Sequence, residues 1–103
     1  MITEIAILNI NHLGSKSFEE SFKKAEKIIS KMNGYISHRL LKCIEEDLKY
    51  LLIVHWEKLE DHTEGFRNSE EYKEWKSLLH KFYDPFPIVE HYFDVSSLSK
   101  KLE

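Results

Sequence analysis

Apolar residues run almost unbroken from Ile2 to Ile10 (Ile5, Ala6, Ile7, Leu8, Ile10), the pattern of a strand covered on both faces. The period then changes. After the His12-Leu13-Gly14-Ser15-Lys16 turn, Phe18, Phe22, Ala25, Ile28, Ile29 and Met32 recur at helical spacing with Lys and Glu between them, which predicts an amphipathic helix. Ser17-Phe18-Glu19-Glu20 has the form of a capping box at its start, so loss of the Ser17 side chain is expected to cost about 1 kcal/mol. Asn33-Gly34 ends the helix, because glycine accepts the left-handed geometry of a C-terminal cap. From Tyr35 to Cys43, Ile36, His38 and Leu40 share one strand face, with Ser37 and Arg39 on the other. Beyond the charged turn Glu45-Glu46-Asp47, the segment Lys49 to Glu57 carries Leu51-Leu52-Ile53-Val54, apolar on both faces, and the two strands read as a hairpin.

Leu59 to Arg67 reads as a short helix weakened by Gly65. Ser69 stands as the N-cap of a second amphipathic helix, with Glu70 and Glu71 in its first turn and Tyr72, Trp75, Leu78, Leu79 and Phe82 as its buried stripe. Asp84-Pro85-Phe86-Pro87 stops that helix, since each proline pushes the residue before it to extended geometry. Ile88 to Val95 forms the last strand, and Ser96 to Glu103 is a polar tail. The order of elements is the ferredoxin-like βαββαβ plan, an α+β fold with a four-stranded antiparallel sheet and helices on one face, filling residues 1–95 as a single domain. Two helices cover one sheet face, yet the first and third strands are apolar on both. A homodimer joined through its sheets into a dimeric α+β barrel is therefore expected.

Composition narrows the partners. With a net charge of -3 and Lys and Arg scattered among acids, the chain lacks the basic stripe that a phosphate backbone demands, so no nucleic acid is expected. No apolar run approaches the roughly 20 residues that span a bilayer, and the N-terminus lacks signal-peptide features, so no membrane association and a cytoplasmic location are expected. Cys43 is alone, without an internal disulfide partner or a CxxC companion, and reads as a buried or edge thiol.

The segment Trp56 to Phe93 concentrates the candidate chemistry. It holds both tryptophans, both prolines, most of the aromatic residues, and His62, His80 and His91. None of the histidines has a metal-ligand spacing, so no metal is expected. His80 and His91 flank the proline-containing turn and are expected to converge on one cavity, where an imidazole would serve as a general base near neutral pH. Tyr72 and Trp75 have the spacing of plain core, but together with Phe66, Tyr83 and Phe86 they also suit a flat apolar slot for a planar ligand. Arg67, His80 and the hydroxyls of Tyr72 and Tyr83 would orient such a ligand. There is no serine elbow, phosphate-cradling glycine loop or nucleophilic cysteine context.

The stretches WEKLEDHTEGFRNSEEYKEW and LLHKFYDPFPIVEHY, with the order of elements over Ile2 to Val95, resemble the antibiotic biosynthesis monooxygenase family. The resemblance implies a ferredoxin-like dimer. It further implies either cofactor-independent oxygenation of a small aromatic or quinone-like substrate, with the ligand deprotonated and donating an electron to O2, or degradation of heme. The heme-degrading branch uses an Asn on the first strand, which Asn9 matches. It also uses a Trp where Phe66 stands and a His where Lys76 stands, with His80 one turn later. Asn9, from this resemblance, joins His80 and His91, from their place beside the proline-containing turn, as the candidate catalytic residues. A non-catalytic dimeric module that binds an apolar metabolite is the alternative of a different class, since fold alone does not transfer function.

Overall fold

The computed structural model describes residues 1–96; most of the polar tail, residues 97–103, lies outside them. The elements follow the expected order: β1 (Ile2–Asn9), α1 (Ser15–Ile29), β2 (Tyr35–Lys42), β3 (Lys49–Trp56), a π-helical turn (Asp61–Phe66), α2 (Glu70–Leu79), a 3-10 turn (His80–Phe82) and β4 (Val89–Tyr92). The strands form one antiparallel sheet in the order β2-β3-β1-β4, so β1 lies between β3 and β4. In β1, Glu4, Ala6 and Leu8 point toward the helices, while Ile5, Ile7 and Asn9 point to the opposite face. Tyr50, Leu52, Val54 and Trp56 of β3 extend the inner face, and Phe18, Phe22, Ala25 and Ile29 of α1 with Trp75 and Leu79 of α2 close over it. Each large side chain buried in this layer contributes roughly 1.5–3 kcal/mol.

The outer face is different. Ile7 is 49% and Leu41 37% exposed there, in register with Leu51 between them. An apolar row is thus left on the side that carries no helix.

Three local readings are corrected. Ser17 is not a cap: α1 begins at Ser15, its N-cap is Gly14 at φ 89, and no side chain caps it. The cause is long-range, because Asn11 holds the preceding turn by accepting from the Leu13 N–H and donating to the Lys81 carbonyl at 2.7 Å, so the chain turns into helix three residues early. Ile36 does not share the inner face with His38 and Leu40. A bulge between Tyr35 and Ser37 turns Ile36 outward, 45% exposed, and Tyr35 packs against the core instead. The last strand is only Val89–Tyr92, and Ile88 before it is 82% exposed.

Ser69 behaves as its position suggests. Its hydroxyl accepts from the Tyr72 N–H at 3.1 Å and caps α2. Gly34, at φ 81, makes the reversal into β2, and an added Cβ would overlap the Asp61 carboxylate, which accepts from the Lys58 N–H at 3.1 Å. This contact seats the π-helical turn against the start of β2. The two serines give a direct comparison: Ser69→Ala is expected to lower unfolding free energy by about 1 kcal/mol, and Ser17→Ala by less than about 0.5 kcal/mol, in urea titrations.

Candidate functional site

Between the sheet and α2 lies a cavity of about 460 Å³. Ala6 and Leu8 of β1, Leu52 of β3 and Val89 of β4 form its apolar floor. The π-helical turn supplies His62 and Phe66, with Arg67 directly after it; α2 supplies Tyr72 and Trp75; His80, Tyr83, Phe86 and Pro87 come from the segment that leads to β4. A π-helical turn holds one residue more than an α-helical one, and here it buries His62 and Phe66 together against Trp56. The aromatic walls interlock edge to face: Phe66 meets Tyr72 at 5.2 Å and Trp75 at 5.5 Å between ring centroids, and the His80 ring meets Phe86 at 4.9 Å.

Seven residues named from the sequence therefore border one space: Phe66, Arg67, Tyr72, Trp75, His80, Tyr83 and Phe86. Two do not. Asn9 sits on the opposite sheet face, beside Ile5 and Ile7, and only its backbone carbonyl is engaged toward this region, accepting from the Asp84 N–H at 2.9 Å. His91 shares the inner face with Glu4, its register partner, but stands behind the cavity wall, hydrogen-bonded through Nε2 to His62 Nδ1 at 2.8 Å. The expected convergence of His80 and His91 on one cavity is thus not what the fold builds. The heme-degrading pattern is not assembled either: Asn9 faces away, position 66 is Phe, and Lys76 is exposed on α2.

The polar corner of the cavity joins Arg67 to Glu4, which the sequence reading passed over, and to His62, which it named without a role. Glu4, 6% exposed, lies near the start of β1, and Trp56 Nε1–H donates to its Oε1 at 2.9 Å. His62, 4% exposed, stacks on the Trp56 ring and brings its Nε2 to 3.4 Å from the same oxygen. A signal was present in β1: Glu4 has the same parity as Ala6, Leu8 and Ile10, so a carboxylate is placed on a face otherwise wholly apolar.

Burial dominates the electrostatics. It pushes the Glu4 carboxyl up to about 7, against the Trp56 hydrogen bond and the Arg67 charge, which both pull it down. Burial also pushes His62 down to about 3, helped by Arg67 and His91. His80 is lowered by burial and then Lys76, and His91 by burial and then Arg67, so these imidazoles favour their neutral forms. Tyr83 is raised by burial, then by Tyr72 and Glu4, and keeps its proton. Near neutral pH the cavity thus holds one permanent cation, Arg67, and one carboxyl poised to change charge. Among the described residues no group of three His, Cys, Asp or Glu is placed to hold a metal ion, and no helix is long and apolar enough to cross a membrane.

The antibiotic biosynthesis monooxygenase family model matches residues 1–78. The chain belongs to this family. The uncharacterized protein YczJ of Bacillus subtilis (strain 168) is 60% identical over 95 residues, spanning 92% of this chain and 100% of the relative. A protein of Bordetella bronchiseptica named for the same monooxygenase family superposes with a TM-score of 0.85 at 28% identity, over 90% of this chain and 95% of that one. SnoaB of Streptomyces nogalater, a cofactor-independent oxygenase, superposes with a TM-score of 0.69 at 19% identity over 90% of both chains. The match to the monooxygenase family model ends before His80, Tyr83 and Phe86, so that wall of the cavity lies outside the matched segment.

The raised Glu4 carboxyl fixes the sign of a stability effect. A carboxyl whose folded value lies above its ordinary 4.5 favours the fold while protonated, so its contribution is full below about 4.5 and is lost as pH rises through about 7. His62 works oppositely, losing its contribution as pH falls from 6.5 toward about 3. Glu4→Gln removes only the first effect. Its stability relative to the parent chain is expected to rise by up to about 3 kcal/mol between about pH 4 and about pH 8, in urea unfolding at both pH values. A difference independent of pH would contradict the assignment.

Proposed function

We propose that the protein is a cofactor-independent monooxygenase that oxidises a small hydroxylated aromatic or quinone-like substrate in the helix-to-sheet cavity. The observation that carries this is the cavity itself: an aromatic-walled space of about 460 Å³ with Arg67, Glu4 and His62 gathered at one corner. Such a slot stacks a planar ring and excludes bulk water, while the polar corner meets its oxygen substituent. Membership in the family and the fold shared with SnoaB support the reading.

The reaction that suits these residues turns a ring C–H of a phenol into C=O. The O–H proton leaves, the electron-rich ring reduces O2, one oxygen atom stays on the ring carbon, and the other leaves as water. The ring thereby loses two hydrogens and gains one oxygen. Arg67 stabilises the phenolate that must form first, and neutral His80 with Tyr72 offers hydrogen bonds that fix the ring's position. The apolar row of the outer sheet face supports a homodimer in which the two sheets cover one another.

Purified protein supplied with naphthols and dihydroxynaphthalenes, without added metal or flavin, is expected to consume one O2 per ring oxidised. Arg67→Met should lower kcat/KM by about 100-fold. Saturable binding with no O2 uptake or product would instead identify a binding module. In sedimentation equilibrium the same preparation is expected to be dimeric and Ile7→Glu monomeric; a monomeric parent chain at micromolar concentration would overturn the sheet-to-sheet assembly.

A further inference from the structure

We infer that Glu4 is the proton acceptor of the cavity: its Oε2 takes the O–H proton of a neutral hydroxyarene ligand, with His62 and His91 as positioning residues behind it. The ligand class rests on reading the cavity as a slot for hydroxylated aromatics; the placement of Glu4 does not.

A carboxylate this deep in a sheet normally has both oxygens satisfied, because an unpaired buried charge is costly. Here Oε1 is occupied, by the Trp56 N–H at 2.9 Å and the approach of His62 at 3.4 Å. Oε2 has no hydrogen-bond partner among the described residues, and Glu4 lines the cavity. A ligand O–H is the group that would complete it. His62 is itself held from behind by His91, and its ring is stacked on Trp56 at 5.5 Å between centroids, so both groups beside Oε1 are held in place.

The charges facing Glu4 decide what it accepts. On the neighbouring elements these are His62 and Arg67 from the π-helical turn and the residue after it, His91 on β4, and Tyr83 before β4; the inner face of β3 opposite contributes only Val54 and the Trp56 N–H. Arg67 is the one cation among them near neutral pH. An aromatic carboxylate would set two anions against that single cation. A neutral phenol, naphthol or hydroquinone avoids this: its O–H bond breaks as the Oε2–H bond forms, the electron pair stays on the ligand oxygen, and Arg67 faces the new phenolate while Glu4 becomes neutral. Net charge in the corner is unchanged, which keeps the transfer inexpensive in a water-poor site.

The test uses 2-naphthol and its carboxylate counterpart 2-naphthoate as probes, titrated by calorimetry into the full chain. With the parent protein, 2-naphthol affinity is expected to rise about tenfold or more between about pH 5.5 and about pH 8, as Glu4 ionises, and binding near the midpoint should release a proton, read from heats in buffers of different ionisation enthalpy. 2-Naphthoate should bind more weakly and lose affinity over the same range. Glu4→Gln keeps an acceptor for Trp56 but cannot take a proton, so it should bind 2-naphthol with no pH dependence and no proton release. His62→Gln should shift the midpoint without abolishing it, an effect that a purely structural role would not produce. Equal affinities for the two probes, or pH-independent naphthol binding by the parent chain, would overturn the inference. Should Glu4→Gln fail to fold, the parent chain's proton release and probe preference decide alone. Glu4-dependent binding without O2 uptake would sink the monooxygenase reading and leave this one standing; O2 uptake that survives Glu4→Gln would do the reverse.

Discussion

The hydrogen bond from Trp56 Nε1 to Glu4 Oε1 joins two side chains that are almost closed to solvent, one at the end of β3 and the other near the start of β1. Both strands lie in the interior of the sheet, so neither side chain can swing out to water without breaking the core. Holding the indole in this place gives His62 a surface on which to stack, and the π-helical turn then delivers His62 and Phe66 to the same side. Phe66 in turn braces Tyr72 and Trp75 of α2. The polar corner and the aromatic wall are thus consecutive layers built outward from one bond.

That arrangement opposes stability. A carboxyl pushed to about 7 by burial makes the folded state less favourable at neutral pH than a polar but uncharged side chain would, while offering a group that changes charge in the range where general bases work. The His62 ring, kept neutral by the same burial, cannot neutralise it. A strained electrostatic corner inside an otherwise apolar core is more readily understood as part of a site than as a device for folding.

What could be read from the chain followed the range of the interactions concerned. α2 was legible because its cap and its stripe are local: Ser69 bonds three residues on, and Trp75, Leu79 and Phe82 repeat at helical spacing. The start of α1 was not, because the Asn11 turn that sets it is tied to the Lys81 carbonyl across the fold. The face of Ile36 was misassigned because a bulge breaks the period of two on which the reading relied. Much of the cavity wall was visible as aromatic density, but the partition of Asn9 and His91 depends on which sheet face carries the helices and how deeply each wall lies. Glu4 was hidden inside an apolar run, where its parity with Ala6 and Leu8 was the only sign that it pointed inward.

The claim on which the rest turns is that Glu4 is a buried carboxyl ionising near neutrality. Difference infrared titration of the parent chain against Glu4→Gln isolates the C=O band of its protonated form. A band that disappears with a midpoint near 7 is the predicted result, and a midpoint near the ordinary 4.5 would contradict the account.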